Sequence, residues 1–370
     1  MQKLNSTILR KKIPFTLYSN STRCLSHRSN FYTFPPRFLP SQPYRPVNKT
    51  FTIHSFRMSS SGKGIQPGEG FSASIPHAER TADEPRENHC HSVIISRIQD
   101  INDTIRIFEL EPATQDGSTD LTFLPGQWLD VFTPPYPERP GGFTITSPPS
   151  ALHPPPDSPK KPYLELAIQK SPSNPPANYL FQHNSKLISS KLLIRVGGSF
   201  IYPPSPTRPI RRLVFVAGGV GVNPLMSMLS HIASLVKAGE DQHFEIRFLY
   251  TVRCAPSGNL SKIQFLERIQ REIKTIGQRA ELQLFLTSGE KREIGGVELE
   301  DTLGPDGTKL DIQRRRINKD DLLQALGPVS ERNDVVCYIC GVPRMTDDFI
   351  EIVRDAEGME EKNVLFEKWW

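Results

Sequence analysis

The first 68 residues contain no aspartate or glutamate; the first acid is Glu69. Eleven of the chain's 45 lysines and arginines lie in that stretch, from Lys3 to Lys63. The remainder therefore carries 34 basic against 40 acidic residues, a mildly acidic body behind a basic head. The formal charge of +5 thus makes no case for nucleic-acid binding, which needs a basic face on the folded part. Cysteine is scarce as well. Cys24, Cys90, Cys254, Cys337 and Cys340 form no secreted disulfide framework and no C-x₄-C-x₂-C run for an iron–sulfur cluster. The one close pair, "CYIC" at 337–340, lies inside an apolar run with no second cluster. It reads as a buried strand, and no metal site is expected. No stretch approaches the ~18 uninterrupted apolar residues of a membrane span. There is no internal repeat.

The head is rich in Ser, Thr, Arg and aromatics, the composition of a mitochondrial transit peptide. A start at Met58 would remove nearly all of it and give a cytosolic form. Residues 1–87 lack periodicity and read as transit peptide plus disordered linker. From about His89 the texture changes. "HSVIISRI", "DTIRIFEL", "QWLDVFTP", "GFTITS", "YLELAIQ" and "LLIRV" are short runs rich in Val, Ile, Thr and aromatics, separated by turn signals. Such spacing predicts an antiparallel β-barrel over 88–207. Eleven prolines in residues 134–162 read as stiff loop. After "PPSPTRP", strand patterns alternate with helical ones to the end. They run "RLVFVAG", a stripe of Leu225, Met228, Leu229, Ile232, Leu235 and Val236, "FEIRFLYTVR", "LSKIQFLERIQREIKTI" and "ELQLFLTS". "NKDDLLQAL", "DVVCYICG", "PRMTDDFIEIVRDAE" and "NVLFEKWW" follow. That alternation predicts a doubly wound parallel sheet over 208–370. The expected class is all-β followed by α/β.

The turn between the first strand and first helix of the second half is "AGGVGVNP", 217–224. Gly218, Gly219 and Gly221 allow a tight turn and close approach of a pyrophosphate, with Val220 and Val222 between and after them. A dinucleotide fingerprint is G-x-G-x-x-G; here Pro224 holds the third glycine's place. Asn223 suits a helix N-cap and Pro224 a first helical turn. The acid that binds a ribose about 20 residues on is also missing; the next strand ends in "YTVR", with Arg253. Taken alone, the cluster reads equally well as a structural turn.

"GGFTITS" (141–147), "RVGGSF" (195–200), the glycine turn, "YICGVPRMT" (338–346) and the terminal "FEKWW" occur in chain order. Together they resemble the ferredoxin–NADP reductase superfamily over residues 89–370, and within it a mitochondrial group. The resemblance implies that 218–224 bind the nicotinamide nucleotide's pyrophosphate. It implies that Cys340 sits near the nicotinamide, with Gly341 and Met345 completing C-G-x-x-x-M. It implies that Gly142, Phe143, Thr144 and Ile145 line a flavin, Phe143 against the ring and Thr144 as donor near N5. Trp369 or Trp370 would cover the flavin face, and Arg253 would meet the ribose or a 2′-phosphate. The implied chemistry is hydride transfer from NAD(P)H to FAD, then electrons to an unidentified, separate acceptor, a protein or a small molecule.

Each residue also has an ordinary reading: Phe143 as barrel core, Thr144 as a strand threonine, the tryptophans as packing or a partner patch, Arg253 as solvated surface. The chain departs from the superfamily's R-x-Y-[ST] by placing Gly141 where the flavin-phosphate arginine belongs, with Arg139 two residues upstream. "SNPPANYL" stands where G-x-x-[ST] should follow. The second expectation is therefore a nucleotide-binding or interaction protein that kept the fold and lost the flavin.

Overall fold

The computed structural model describes residues 76–368 apart from 115–118, 156, 241, 254–258, 288–303, 305–306 and 308. Trp369 and Trp370, expected over a flavin, lie outside the described residues, as do Cys24 and Cys254.

A four-residue helix, α1 (His77–Arg80), comes first. Six strands follow: β1 (His91–Asn102), β2 (Ile105–Pro112), β3 (Trp128–Thr133), β4 (Tyr136–Thr144), β5 (Leu164–Gln169) and β6 (Lys191–Gly197). Between the last two lie short helices α2 (Pro175–Tyr179) and α3 (Asn184–Leu187). The strands order β4-β3-β6-β1-β2-β5, with every pairing antiparallel. The two ends of that order meet through a bridge between Ile145 and Leu166, and the Thr146 amide donates to the Glu165 carbonyl at 2.8 Å. The sheet thus closes into the expected barrel. Its interior takes alternate residues, as a two-residue period demands: Val93 and Ile95, Phe108 and Leu110, Leu129 and Val131, Ile194 and Val196. β4 runs through Pro137 and Pro140, which the sequence reading assigns to loop. Its one main-sheet partner is β3, so prolines without N–H groups are tolerated there.

The second half comprises β7 (Arg212–Gly218), α4 (Val222–Lys237), β8 (Glu245–Arg253), α5 (Leu266–Ile276) and β9 (Ala280–Thr287). Then come β10 (Asp311–Gln313), α6 (Lys319–Leu326), β11 (Val335–Cys340), α7 (Pro343–Arg354) and β12 (Val364–Glu367). The strands order β10-β9-β8-β7-β11-β12, all parallel. The chain winds outward from β7 to β10, then returns to the other side of β7, so the switch point lies between β7 and β11. β11 is fully buried, as the apolar run around "CYIC" predicts. β10, short and polar, has no signal in the sequence.

Helix ends follow local chemistry. Asn318 and Asp321 form a reciprocal capping box at the start of α6. Pro343 opens α7 at a position that needs no N–H donor. The helical period over 260–276 breaks at Phe265, whose φ of +60° turns its ring into the core before α5 begins. Leu225, Met226, Met228, Leu229 and Ile232 of α4 are all fully buried, each contributing about 1.5–3 kcal/mol. Residues 219–237 are the one described stretch long and apolar enough to pass as a membrane span, but two-thirds of the apolar window is buried inside the protein.

Candidate functional site

The switch point brings together the carboxyl ends of β7, β11 and β12. In the registers, Cys340 pairs with Ala217 on one side and Glu367 on the other, and Gly218 pairs with Thr251 of β8. A Cβ on Gly341 would lie 3.1 Å from both the Cα and N of Gly218. One on Gly218 would meet Met345 Cε and Sδ at 2.7 Å, and one on Gly221 would strike the Cys340 carbonyl. Three of the expected glycines are thus needed so that the loops after β7 and β11 can touch. Gly219 differs. Its φ is +54°, and a side chain there would meet nothing within 4 Å. It is the glycine of the turn that faces open space. Val220 beside it is half-buried, whereas Val222 is fully buried. No side chain caps α4, which continues from the 3₁₀ turn Gly219–Gly221; Gly219 and Val220 are the half-buried residues at that end.

Two expectations in this loop are corrected. Asn223 is not the N-cap; α4 starts at Val222 with Gly221 as cap. Its amide is instead buried between the two halves, Nδ2 donating to Ala167 O at 2.9 Å and Oδ1 accepting from Gln264 Nε2 at 2.6 Å. A buried carbonyl at the end of β5 needs a donor, and this side chain supplies it. Pro224 consequently stands third in the helix, still inside the first turn where its missing N–H costs nothing. Cys340 is fully buried beneath the loop and Met345 is packed against both glycines; Arg253 is exposed at the carboxyl end of β8. Ser227 Oγ to Ser147 O at 2.8 Å, Arg268 Nη2 to Thr146 O at 3.1 Å and Tyr338 Oη to Ile201 O at 2.8 Å further join the sheet half to the barrel.

The "GGFTITS" segment ends β4 and enters the barrel's closing seam. Pairing sets Trp128 opposite Thr144 and Gly197, and Asp130 opposite Gly142 and Arg195. Those six residues share the barrel's outer face, because Leu129 and Val131 point inward. Thr144 is 1% exposed, and its Oγ1 has no hydrogen-bond partner. Phe143 points to the other side and packs on the barrel core, as its ordinary reading expects. Ile145 is fully buried.

That outer face is covered by residues 77–87, which the sequence reading treats as linker. Arg86 forms a bridge with Gly197, and the Glu87 amide donates to Val196 O at 3.0 Å. The His77 ring stands directly on Gly142 and edge-on to Trp128, at 4.6 Å between centroids. Arg86 lies over the other side of Trp128, 4.9 Å from its centroid. Asp130, fully buried, collects three partners: His77 Nε2 at 3.0 Å, Arg86 Nε at 3.1 Å and Arg195 Nη2 at 2.6 Å. Burial alone would raise the Asp130 pKa. The hydrogen bonds from His77 and Arg195, with the Arg86 charge, outweigh it and hold the carboxyl below its ordinary value. Next to this network, burial and then the charge of Glu84 push Glu367 well up, with Arg80 opposing; its Oε2 has no partner. None of these groups carries a sequence signal. Asp130 alternates with Leu129 and Val131 and reads as solvent-facing until the segment arrives.

The flavin's phosphate end fares differently. A Cβ on Gly141 would meet the Phe143 ring at 2.7 Å and Pro176 Cβ at 2.8 Å, so no arginine fits there. α2, where the resemblance expects G-x-x-[ST], begins Asn174-Pro175-Pro176-Ala177. The two prolines have no N–H, and Asn174 Oδ1 already accepts the Ala177 N–H at 3.2 Å. Arg139 is exposed. The orphan Thr144 hydroxyl suits a polar ligand atom. The place expected of the flavin-phosphate arginine is thus closed to one, and residues 77–87 stand on the outer face beside Thr144.

Residues 210–354 match the ferric reductase NAD binding domain family. A curated relative from Danio rerio, oxidoreductase NAD-binding domain-containing protein 1, is 31% identical over 294 residues, covering 80% of this chain and 97% of its own. Among solved structures, flavohemoglobin from Malassezia yamatoensis with bound FAD and heme matches at TM-score 0.53 and 15% identity, over 78% of this chain and 62% of that one. The cytochrome b5 reductase domain of Ulva prolifera nitrate reductase matches at 0.51 and 15%, over 76% and 97%. At those identities the structural likeness concerns fold: a barrel followed by a nucleotide-type sheet.

Proposed function

The chain belongs to the oxidoreductase NAD-binding domain-containing protein 1 family, and on that premise we propose that it binds NAD(P)H at the β7/β11 switch point and acts as an oxidoreductase. The observation that carries this reading is Gly219, open and at positive φ beside two loops that touch through Gly218 and Gly341. The pyrophosphate lies against Gly219 and Val220, drawn by the uncapped amino end of α4. Gly341 and Met345 wall the nicotinamide side and exclude water, with Cys340 fixing that wall from beneath as a positioning residue. Arg253 meets the ribose or 2′-phosphate of the nucleotide from the end of β8.

The neighbours' fold makes FAD a plausible cofactor, but in this chain a flavin would have to displace residues 77–86 and find its own phosphate donors. That arrangement favours the second expectation, a nucleotide-binding protein of reductase fold without flavin. Titrating the full chain with NADH and NADPH tests the nucleotide site. Its visible spectrum after incubation with FAD, then after anaerobic NADH or NADPH, tests the flavin. Micromolar nucleotide binding with no retained flavin is expected. Absence of nucleotide binding overturns the proposal; stoichiometric flavin that bleaches with nucleotide restores the relay. The acid-free head supports a mitochondrial address, tested by fusing residues 1–75 to a fluorescent protein and locating it.

A further inference from the structure

Outside the nucleotide site, "ENHCH" (87–91) leads into β1. In extended chain, residues two apart share a side, so Glu87, His89 and His91 are set to project together. The structure does bring them together: one ligand atom from each lies within 4.8 Å of the others. His91 Nε2 stands 3.1 Å from Glu87 Oε2, and the His89 and His91 rings are 4.5 Å apart between centroids. An ion about 2.1 Å from each ligand in tetrahedral geometry holds its ligands about 3.4 Å apart, a spacing these side chains reach with small rotations.

A second feature points the same way. On the far side of the buried His91 ring, Nδ1 faces Asp120 Oδ1 at 3.5 Å. Metal-bound imidazoles commonly present their other nitrogen to a carboxylate, which fixes the ring and strengthens the donor. The backbone is anchored on both sides of the group: the Glu87 amide donates to Val196, and His91 pairs with Ile194. Glu87 also borders a cavity of about 360 Å³, lined by Arg86, Phe123, Leu124 and Gln127.

We propose that Glu87, His89 and His91 form a binding site for a divalent transition-metal ion, with water completing its coordination and Asp120 supporting His91. Two imidazoles and one carboxylate suit zinc, and equally ferrous iron. The site stands apart from the nucleotide reading and does not depend on it. The ion pins the segment that carries Arg86 onto the barrel.

The test uses the untagged full chain, stripped of metal, titrated with Zn²⁺ and, anaerobically, with Fe²⁺. His89 is exposed, so His89→Ala leaves the fold intact, and the circular dichroism spectrum and melting temperature of each metal-free variant serve as the folding control. Expected are one ion per chain at this site, a loss of at least about tenfold in affinity for His89→Ala and for Glu87→Gln, and a loss of about tenfold for Asp120→Asn. The ion with the tighter site-dependent binding identifies the metal. No binding by the wild type, or binding undiminished in both His89→Ala and Glu87→Gln, overturns the proposal.

Discussion

The ring of His77 occupies the space a Cβ on Gly142 would need. Sixty-odd positions apart in sequence, the two residues are joined because Asp130, opposite Gly142 on β3, holds the His77 Nε2 at 3.0 Å. Gly142→Ala must therefore push the imidazole off Asp130, costing about 1–3 kcal/mol in urea denaturation. In a His77→Ala background the same change is expected to cost much less. Such non-additivity is the signature of direct contact.

Asp130 gives the barrel an acid-sensitive element. Its pKa is held below its unfolded value, so its contribution is complete above about pH 3.9 and is lost as pH falls toward the folded value. Asp130→Asn leaves His77, Arg86 and Arg195 without their anion and is expected to cost about 3 kcal/mol at pH 7. Denaturation of wild type and variant at pH 7 and pH 3 checks it: the gap between them narrows at the lower pH.

Glu367 works in the opposite direction. A carboxyl whose folded pKa is raised favours the folded state when protonated, so stability falls as pH climbs above about 4.3 toward the folded pKa. Glu367→Gln removes that slope and stabilises the protein at neutral pH, read as a higher melting temperature at pH 7 than wild type.

Asn223 ties α4 to the barrel rather than capping the helix. Asn223→Leu would leave the Ala167 carbonyl and the Gln264 amide buried without this partner, a loss of about 1–3 kcal/mol. Asn223→Ser, an N-cap residue of equal rank, is expected to lose almost as much, since no cap role exists for it to fill. Chemical denaturation of both variants distinguishes the two roles.

Two-residue alternation predicts β1, β2, β3, β5, β6 and the "GFTITS" end of β4, and an apolar stripe predicts α4, because burial on one face writes a period into sequence. The glycine turn and "CGVPRM" were legible for the same kind of reason: close backbone approach demands glycine at Gly218, Gly221 and Gly341. Their approach is chiefly to each other, which spacing cannot reveal. The covering segment was illegible, since His77 and Arg86 derive their role from residues 44 to 111 positions away, from Arg86 to Asp130 (130 − 86) and from Arg86 to Gly197 (197 − 86). Phe265 broke a good helical period because a core position for its ring outweighed local propensity. The start of β4 is illegible as strand because Pro137 and Pro140 argue against a central strand, and only the sheet order shows that β4 has one partner in the main ladder.

Gly219 offers the most direct measurement of the nucleotide site. Asp and Asn both tolerate its positive φ and meet open space, so Gly219→Asp and Gly219→Asn should keep the fold. They differ in charge alone. Calorimetric titration of wild type and both variants with NADH and NADPH is predicted to show Gly219→Asp at least about tenfold weaker than Gly219→Asn, as a carboxylate beside the pyrophosphate requires. Equal affinity in the two variants, both matching wild type, would contradict nucleotide binding at this loop.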